Sequence, residues 1–417
     1  MTSTQREQAN AEAYRRLCAA DPILVDIVPA GEVLPGMEEH VILTSGPPMP
    51  WEHYNGGQRN AVIGGVLFEG LAAAAQEAEK KISTGKIRVA ACSEFDCVGS
   101  LAGIYTSSMP VLVVKNRDRG NIAYCNFYEG TNPRRLNYGV YDSGVKERLL
   151  FIQDVVAPVV REAVLGTGGI PLKPIMQRAL HMGDELHSRN TAASLLFARE
   201  LYPAFLRVAE NGRKRVEDTL EALTADHYFF LRLSMAAAKA TADSAHGIEG
   251  SSIVTAMAFN CRDFGIRVSG LGDEWFTGPH PVVEAKLFAG HTEDEISWMG
   301  GESIIIETIG LGGFAQAAAF SLQAYQGGSA DAMVRNNLAM YQITVGEHPD
   351  FRIPYLGYRG TPTGIDILKV VQSRTTPVMD IGIAGRSGGQ IGAGLVRAHL
   401  GSFECAASAY NCRYNDS

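Results

Sequence analysis

The chain has 417 residues, including 45 glycines, and 37 Lys plus Arg set against 45 Asp plus Glu give a formal net charge of −8. Glycine is about 11% of the chain against roughly 7% on average, but the glycines show no period of three, which excludes collagen. An apolar share of 46% with so small a net charge excludes disorder. A pI near 5.7 without any basic run argues against nucleic acid or an anionic membrane surface as partner.

Length alone sets an expectation of two to three domains. The longest uncharged stretch, Thr308–Ala330, holds three glutamines and several glycines, so it is a poor membrane span. The first residues lead into no apolar signal core, and nothing suggests secretion. Seven scattered cysteines without a C-x-x-C fit reduced thiols in a cytoplasmic protein.

The glycines are unevenly placed: 15 in residues 1–145, 5 in 146–245 and 25 in 246–417. The predicted organisation is α/β (α+β), with an N-terminal α/β domain over 1–145, a helical domain over 146–245 and a C-terminal α/β domain over 246–417. In the first part, Glu38–Thr44 reads as a strand ending at Gly46-Pro47-Pro48, and Arg59–Lys81 as a helix. Ile87–Cys92 and Met109–Val114 read as further strands, the second apolar enough to be buried on both faces. The middle part predicts helices over Lys146–Leu165, Asp184–Ala209, Arg213–Leu223 and Asp226–Ala242. The last part predicts strands at Ser251–Phe259, Phe264–Ser269, Glu302–Glu307 and Thr376–Ile383, and helices at Phe314–Tyr325 and Leu395–Tyr410.

Three clusters carry candidate chemistry. In Met182–Asn190, helical spacing would place Asp184, His187 and Asn190 on one broad face. An Asp beside a His can fix the imidazole tautomer and raise its basicity, as a general base requires. The same residues read equally as an N-cap at Asp184 followed by a solvated His187. In Phe264–Pro279, a strand carrying Arg267 runs into a loop with Gly270, Gly272, Asp273 and Trp275. Arg267 could clamp a carboxylate or phosphate, or simply pair with Asp273. The third cluster comprises two glycine loops, Gly310–Gly313 and Ile381–Gly394, the latter expected to join a strand to a helix and bind an anion through backbone N–H groups. Tight packing turns would explain both loops as well.

Other motifs carry no weight. Neither glycine loop is a P-loop or has Rossmann spacing. Gly385-Arg-Ser-Gly-Gly389 matches a nucleophile elbow, but His399 precedes Glu404 and almost no chain remains for a hydrolase fold. Ser373-Arg-Thr-Thr376 precedes a strand rather than opening a helix, unlike a carbamoyl-phosphate loop. No metal-ligand spacing stands out, and no cofactor is expected.

Gly46–Trp51, Met182–Asn190, Phe264–Pro279, Glu307–Gly313 and Gln390–Arg397, in order along residues 20–405, resemble the YlbE-like family, also called domain of unknown function 1116. The resemblance implies two α/β parts with a helical insert. It also implies a subunit of oxamate carbamoyltransferase, which splits oxalurate with phosphate into oxamate and carbamoyl phosphate during allantoin breakdown. Such a subunit works with an FdrA-like subunit and a smaller third one. The catalytic set expected on this basis is His187, oriented by Asp184, with Glu307 and Arg267. The expected substrate-binding set is Asn190, Asp273, Arg397, Gly312, Gly313, Gly392, Gly394 and Gly46. His187 would protonate the leaving nitrogen, Glu307 and Asp273 would accept ureido N–H groups, and the arginines and glycine loops would hold the anions. The chain departs from the family pattern at Cys92–Leu101 and at His399, which admits a hydrolase of another ureido or amide compound. A non-catalytic scaffold subunit is the third reading.

Overall fold

The apolar run Pro110–Asn116 exposes only Lys115, and it becomes the middle of a five-stranded sheet in the computed structural model, which describes residues 1–225 and 228–414. The order is Cys97–Val98, Ile122–Asn126, Pro110–Asn116, Pro22–Pro29, Ile170–Pro171. Leu112 sits opposite Cys125 on one side and Ile27 on the other, both antiparallel. The Cys97–Val98 edge is parallel to its neighbour.

Beside this sheet, Val41–Thr44 and Arg88–Ala91 form a parallel pair, close to the predicted strands. Between them, the single helix expected over Arg59–Lys81 is two helices, Gly56–Phe68 and Ala75–Ser83. The chain turns between them at Gly70, whose φ of 72° a β-carbon would disfavour.

Helices dominate the middle of the chain. Ser143–Phe151 and Ala157–Leu165 are joined by one π-helical turn, and Lys173–His181, Thr191–Ala209, Arg213–Thr224 and Leu231–Ser244 follow. The helix expected from Asp184 begins only at Thr191, because residues 184–190 turn back on themselves. The first two residues of the helix expected over Asp226–Ala242 lie outside the described residues.

These helices share one core with the sheet. Leu24, Ile27, Leu112 and Val114 pack with Val160, Phe197, Phe205 and Leu233. The Leu231–Ser244 helix is buried at 13 of its 14 positions. Its run of Ala236, Ala237, Ala238, Ala240 and Ala242 lets flanking elements approach closely on every side.

The remaining sheets are antiparallel. Val254–Phe259, Asp263–Val268 and Phe276–Pro279 form one, and Ile296–Ser297, Val378–Gly385, Gln390–Arg397 and Val283–Leu287 another. Thr344–Ile353 pairs with Arg359–Ile365 as a hairpin. Helices Ala330–Met340, Ile367–Ser373 and Leu400–Tyr414 complete this part.

Three predicted elements differ here. The β-branched run at 302–307 is no strand; it ends in a short helix, Ile305–Thr308, buried between other elements. Phe314–Tyr325 is a chain of 3₁₀ turns that becomes α-helical only in its last turn, Gln323–Gln326. Leu395–Arg397 belongs to a strand, and the terminal helix starts at Leu400. The mixed α/β class holds, and among the described residues no helix is long and apolar enough to cross a membrane.

Tyr105, fully buried, donates its hydroxyl to Val98 O at 2.6 Å and accepts from Asn126 N at 3.0 Å. Tyr105→Phe removes both buried hydrogen bonds of the hydroxyl and should cost about 1–3 kcal/mol. Urea unfolding of the two proteins checks this through the shift in midpoint.

Candidate functional site

Residues 184–190 leave helical geometry because two carboxylates reorganise their backbone. Glu185 accepts from the amides of His187, Ser188 and Arg189, folding the chain into a tight loop. Leu186 takes a φ of 75° inside it, a conformation costly for a leucine and held by its complete burial. Asp184 accepts from Ala193 N at 2.8 Å, pairs with Arg189 at 3.3 Å, and thereby caps the Thr191–Ala209 helix. Asn190 donates to His187 O at 2.8 Å and accepts from Ser234.

Asp184 therefore does not orient His187. That role falls to Glu307, whose Oε1 lies 2.8 Å from His187 Nδ1 across 120 residues of sequence. Glu307 was expected to meet substrate, but its Oε1 also accepts from the amides of Gly313 and Asp380, both at 3.1 Å. With Nδ1 so held, Nε2 is left for the cavity that His187 lines.

Gly312 and Gly313 are not an open anion cradle. Gly312 N donates to Glu185 O at 2.8 Å, and the Gly313 amide is held by Glu307. At Gly312, with φ of 60°, a β-carbon would be driven into the Glu307 carboxylate and against His187. The glycine is what lets the two catalytic candidates meet.

Burial by itself would lower the His187 pKa, but the charge and hydrogen bond of Glu307 outweigh it and hold the pKa above its usual value. Asp380, also fully buried, accepts from Gln316 at 2.6 Å and Gln326 at 3.1 Å. Burial, then the nearby Glu307 charge, pushes it up to about 7. Burial and the Asp380 charge raise Glu185 well above the ordinary carboxylate range, against the amides that it accepts. The loop thus sits in an enclosed set of acids with one imidazole.

The cavity before His187 measures about 80 Å³, several times the ~10–15 Å³ that one water needs, so it suits a small molecule. Two buried arginines line it. Arg232, from the first turn of the central helix, Leu231–Ser244, donates to Asn126 at 3.2 Å, and its Nε has no hydrogen-bond partner among the described residues. Arg135 donates to Tyr128 and to Gly130 O at 3.0 Å, lies over the Tyr138 ring at 4.4 Å, and has a similarly unpartnered Nε. Tyr128, Tyr138, Tyr228 and Tyr325 supply aromatic walls, and Ser100, Leu101, Gly300 and Gly301 close the other side.

The structure divides the expected residues. Arg267 and Asp273 pair with each other in a second cleft that shares no lining residue with the first. Gly392 and Gly394 lie in a strand, not in a loop before a helix. Each stands where a β-carbon would strike the backbone of the neighbouring Val283–Leu287 strand. Arg397 ends that strand, exposed and bonded to Asn336 at 2.7 Å, roughly 20 Å along it from the cavity residue Gln390 at about 3.3 Å per residue. Gly46 donates to Glu302 Oε1 at 3.1 Å, and Glu302 Oε2 accepts from Gly99 at 2.7 Å. Glu302, pushed up to about 7 by burial, thereby ties together the two chain segments that form the Ser100–Gly301 wall.

A family model described as oxamate carbamoyltransferase subunit AllG matches residues 87–303. The subunit of that name from Escherichia coli (strain K12) is 37% identical over 412 residues, 97% of this chain and 98% of the relative. The chain belongs to the AllG family. A second relative from that organism, the uncharacterized protein YahG, is 40% identical over 408 residues, 97% of this chain and 86% of YahG. A crystal structure of a conserved protein of unknown function from Enterococcus faecalis V583 has the same fold, with a TM-score of 0.95, 38% identity and 98% of both chains covered. The chain is thus a member of a family of carbamoyltransferase-complex subunits.

Within this AllG-family fold, Arg135 and Arg232 went unnoticed in the sequence because neither belongs to a motif. The one available signal was an arginine opening the apolar helix Leu231–Ser244, where charge is costly unless a ligand or partner meets it.

Two outcomes are expected. Gly312→Ala should separate His187 from Glu307 and lower the His187 pKa, measured by NMR titration of the ring protons. Burial pushes Asp380 up to about 7 from the 3.8 of an ordinary aspartate, so between those values the native state holds a proton that the unfolded chain has lost. Its contribution to stability therefore falls as pH rises from about 4 to about 7. Asp380→Asn should flatten that fall, checked by urea midpoints at pH 5 and pH 8.

Proposed function

We propose that the cavity before His187 is the active site of a carbamoyltransferase that phosphorolyses oxalurate to oxamate and carbamoyl phosphate. The single observation that carries this reading is a buried imidazole, fixed by Glu307 at 2.8 Å, on one wall of a small cavity with two under-partnered arginines. Oxalurate and phosphate are both anions, and guanidinium groups match carboxylate and phosphate geometry. Arg232 and Arg135 hold the two anions together, so that a phosphate oxygen faces the carbamoyl carbon.

The phosphate oxygen attacks that carbon, and the carbon–nitrogen bond to the oxamate portion breaks. The bonding electron pair goes to the nitrogen, which takes the proton from His187 Nε2. The proton lost by phosphate on attack returns to His187, so the cycle balances. The raised pKa of His187 suits this shuttle, because the Glu307 charge lets the imidazole hold a proton more firmly until the leaving nitrogen takes it. The chain acts with an FdrA-like subunit and a smaller third subunit in a cytoplasmic complex, serving allantoin breakdown.

A second reading, hydrolysis of another ureido or amide compound, has its own support. Ser100 and Leu101 line the cavity, and both belong to the segment that departs from the family pattern. Identity is also higher to YahG than to AllG. Phosphate dependence of turnover separates the two reactions.

The complex should be assembled from the chain and its genomic neighbours and supplied with oxalurate and phosphate. Carbamoyl phosphate should form, and His187→Gln should lower turnover at least about a hundredfold. Near-normal turnover in that variant removes His187 from the chemistry. No carbamoyl phosphate in any combination of subunits overturns the reaction.

A further inference from the structure

The second cleft, about 680 Å³, opens where the five-stranded sheet, the end of the central helix and the Asp263–Val268 strand meet. Its floor carries Arg267, which is only 8% exposed. A guanidinium so deeply placed needs an anionic partner. The partner present is Asp273, a loop carboxylate whose side chain is 90% exposed. Arg267 reaches it through Nη2 alone, and the same nitrogen lies 3.0 Å from His246 Nε2. Nε is buried with no hydrogen-bond partner among the described residues. The donor fork is therefore half used, and by a carboxylate that water can readily reclaim.

His246 does not supply a second positive charge. Its Nδ1 is 2.7 Å from Thr255 Oγ1, and burial, then the Arg267 charge, lowers its pKa to about 4. Lys239 is neutralised by Asp243 one helical turn away. Asp96 stands exposed at the rim, and Asp243 and Asp96 add their charges at Arg267 to the Asp273 pair. The cleft therefore joins one strong carboxylate receptor at depth to acids nearer the mouth. Acids there repel a phosphate or dicarboxylate but favour a positive group. Trp275 and Ile122 add apolar wall, and the volume lies within the ~300–1,000 Å³ of ordinary ligand pockets.

We propose that this cleft binds a free α-amino acid. Its carboxylate displaces Asp273 from Arg267 and engages the unused Nε edge of the fork, and its ammonium faces Asp96 and shares the Asp243 carboxylate with Lys239. Asp273 is an internal stand-in for the ligand carboxylate, presented on a loop that includes Gly270 and Gly272. The site is separate from the His187 cavity. Lys239 and Asp243 stand two to three turns along the same buried helix from Arg232, about 10 Å at 1.5 Å per residue for Lys239.

The test uses the full chain. Thermal unfolding is followed with each common α-amino acid, and calorimetry then compares any stabilising one with its deaminated acid and its decarboxylated amine. At least one amino acid should bind at one site per chain, and loss of either charge should weaken it at least about tenfold. Arg267→Gln should abolish binding, His187→Gln should leave it unchanged, and Asp273→Asn should tighten it several-fold by removing the internal competitor. The last variant alters an exposed side chain, so it remains informative if Arg267→Gln does not fold. The proposal is overturned if no amino acid binds, if the deaminated acid binds equally well, or if Asp273→Asn weakens binding. Binding lost with His187→Gln but kept with Arg267→Gln would likewise place the ligand in the other cavity.

Discussion

A helix that is buried at 13 of 14 positions has to be surrounded before it is stable, and Leu231–Ser244 imposes that demand on everything near it. Its alanines leave little side chain to fill space, so strands Pro110–Asn116 and Ile122–Asn126 on one side and the short Ile305–Thr308 helix on another come close to its backbone. Burial of this kind tolerates few charges. Arg232, Lys239 and Asp243 are the charged residues in the helix, and each meets one of the two clefts. Arg232 enters the His187 cavity, while Lys239 and Asp243 stand at the Arg267 cleft. The clefts are the places where a wholly buried helix can carry charge at all.

The His187 site depends on a narrower condition, the absence of a side chain at Gly312. A buried imidazole and carboxylate gain from pairing only when the geometry is close and the remaining lone pairs are met. Gly312 permits the approach, and the amides of Gly313 and Asp380 fill the rest of the coordination around Glu307 Oε1, while Oε2 has no hydrogen-bond partner among the described residues. The loop that presents His187 is bent by Glu185 and by the positive φ of Leu186, so part of the surrounding packing energy is spent holding one histidine in place. Glu302 does comparable work on the opposite wall, where it joins the Gly46 and Gly99 amides.

Much of the fold was legible where a single physical signal dominated. Met109–Val114 announced a doubly buried strand and Arg213–Leu223 a helix set off by Gly212 before it, and both elements form within two residues of those bounds. The reading failed where tertiary contacts overrode local preference. Ile304-Ile305-Ile306 has the composition of a strand, yet it turns helical against the central helix. The glycines at 392 and 394 looked like a loop because small residues mark turns. In the fold they mark a strand that another strand must approach closely. In the site, His187 and Glu307 were both visible as candidates, but their pairing spans 120 residues and leaves no local trace. Asp184 lay nearer in sequence and drew the orienting role, although its capping of Ala193 uses the same chemistry that makes aspartate common before helices.

The unpartnered guanidinium nitrogens tie these strands together. Arg135, Arg232 and Arg267 each bury an Nε with no acceptor among the described residues, and each such group costs about 1–3 kcal/mol relative to one that is satisfied. A fold selected for stability alone would replace them with apolar side chains of similar volume, often at no loss. Three such arginines facing two clefts carry a cost that a bound anion would remove, as the two proposals require. The binding energy of that anion is larger for the same reason, since it relieves an existing deficit instead of competing with a satisfied internal bond. Arg267 differs from the other two in having an exposed aspartate already half in place, so its ligand must displace a weak competitor before it gains the fork. That difference sets the Arg267 cleft, with its internal carboxylate, apart from the His187 cavity, where the neighbours of Arg135 and Arg232 that accept from them are neutral.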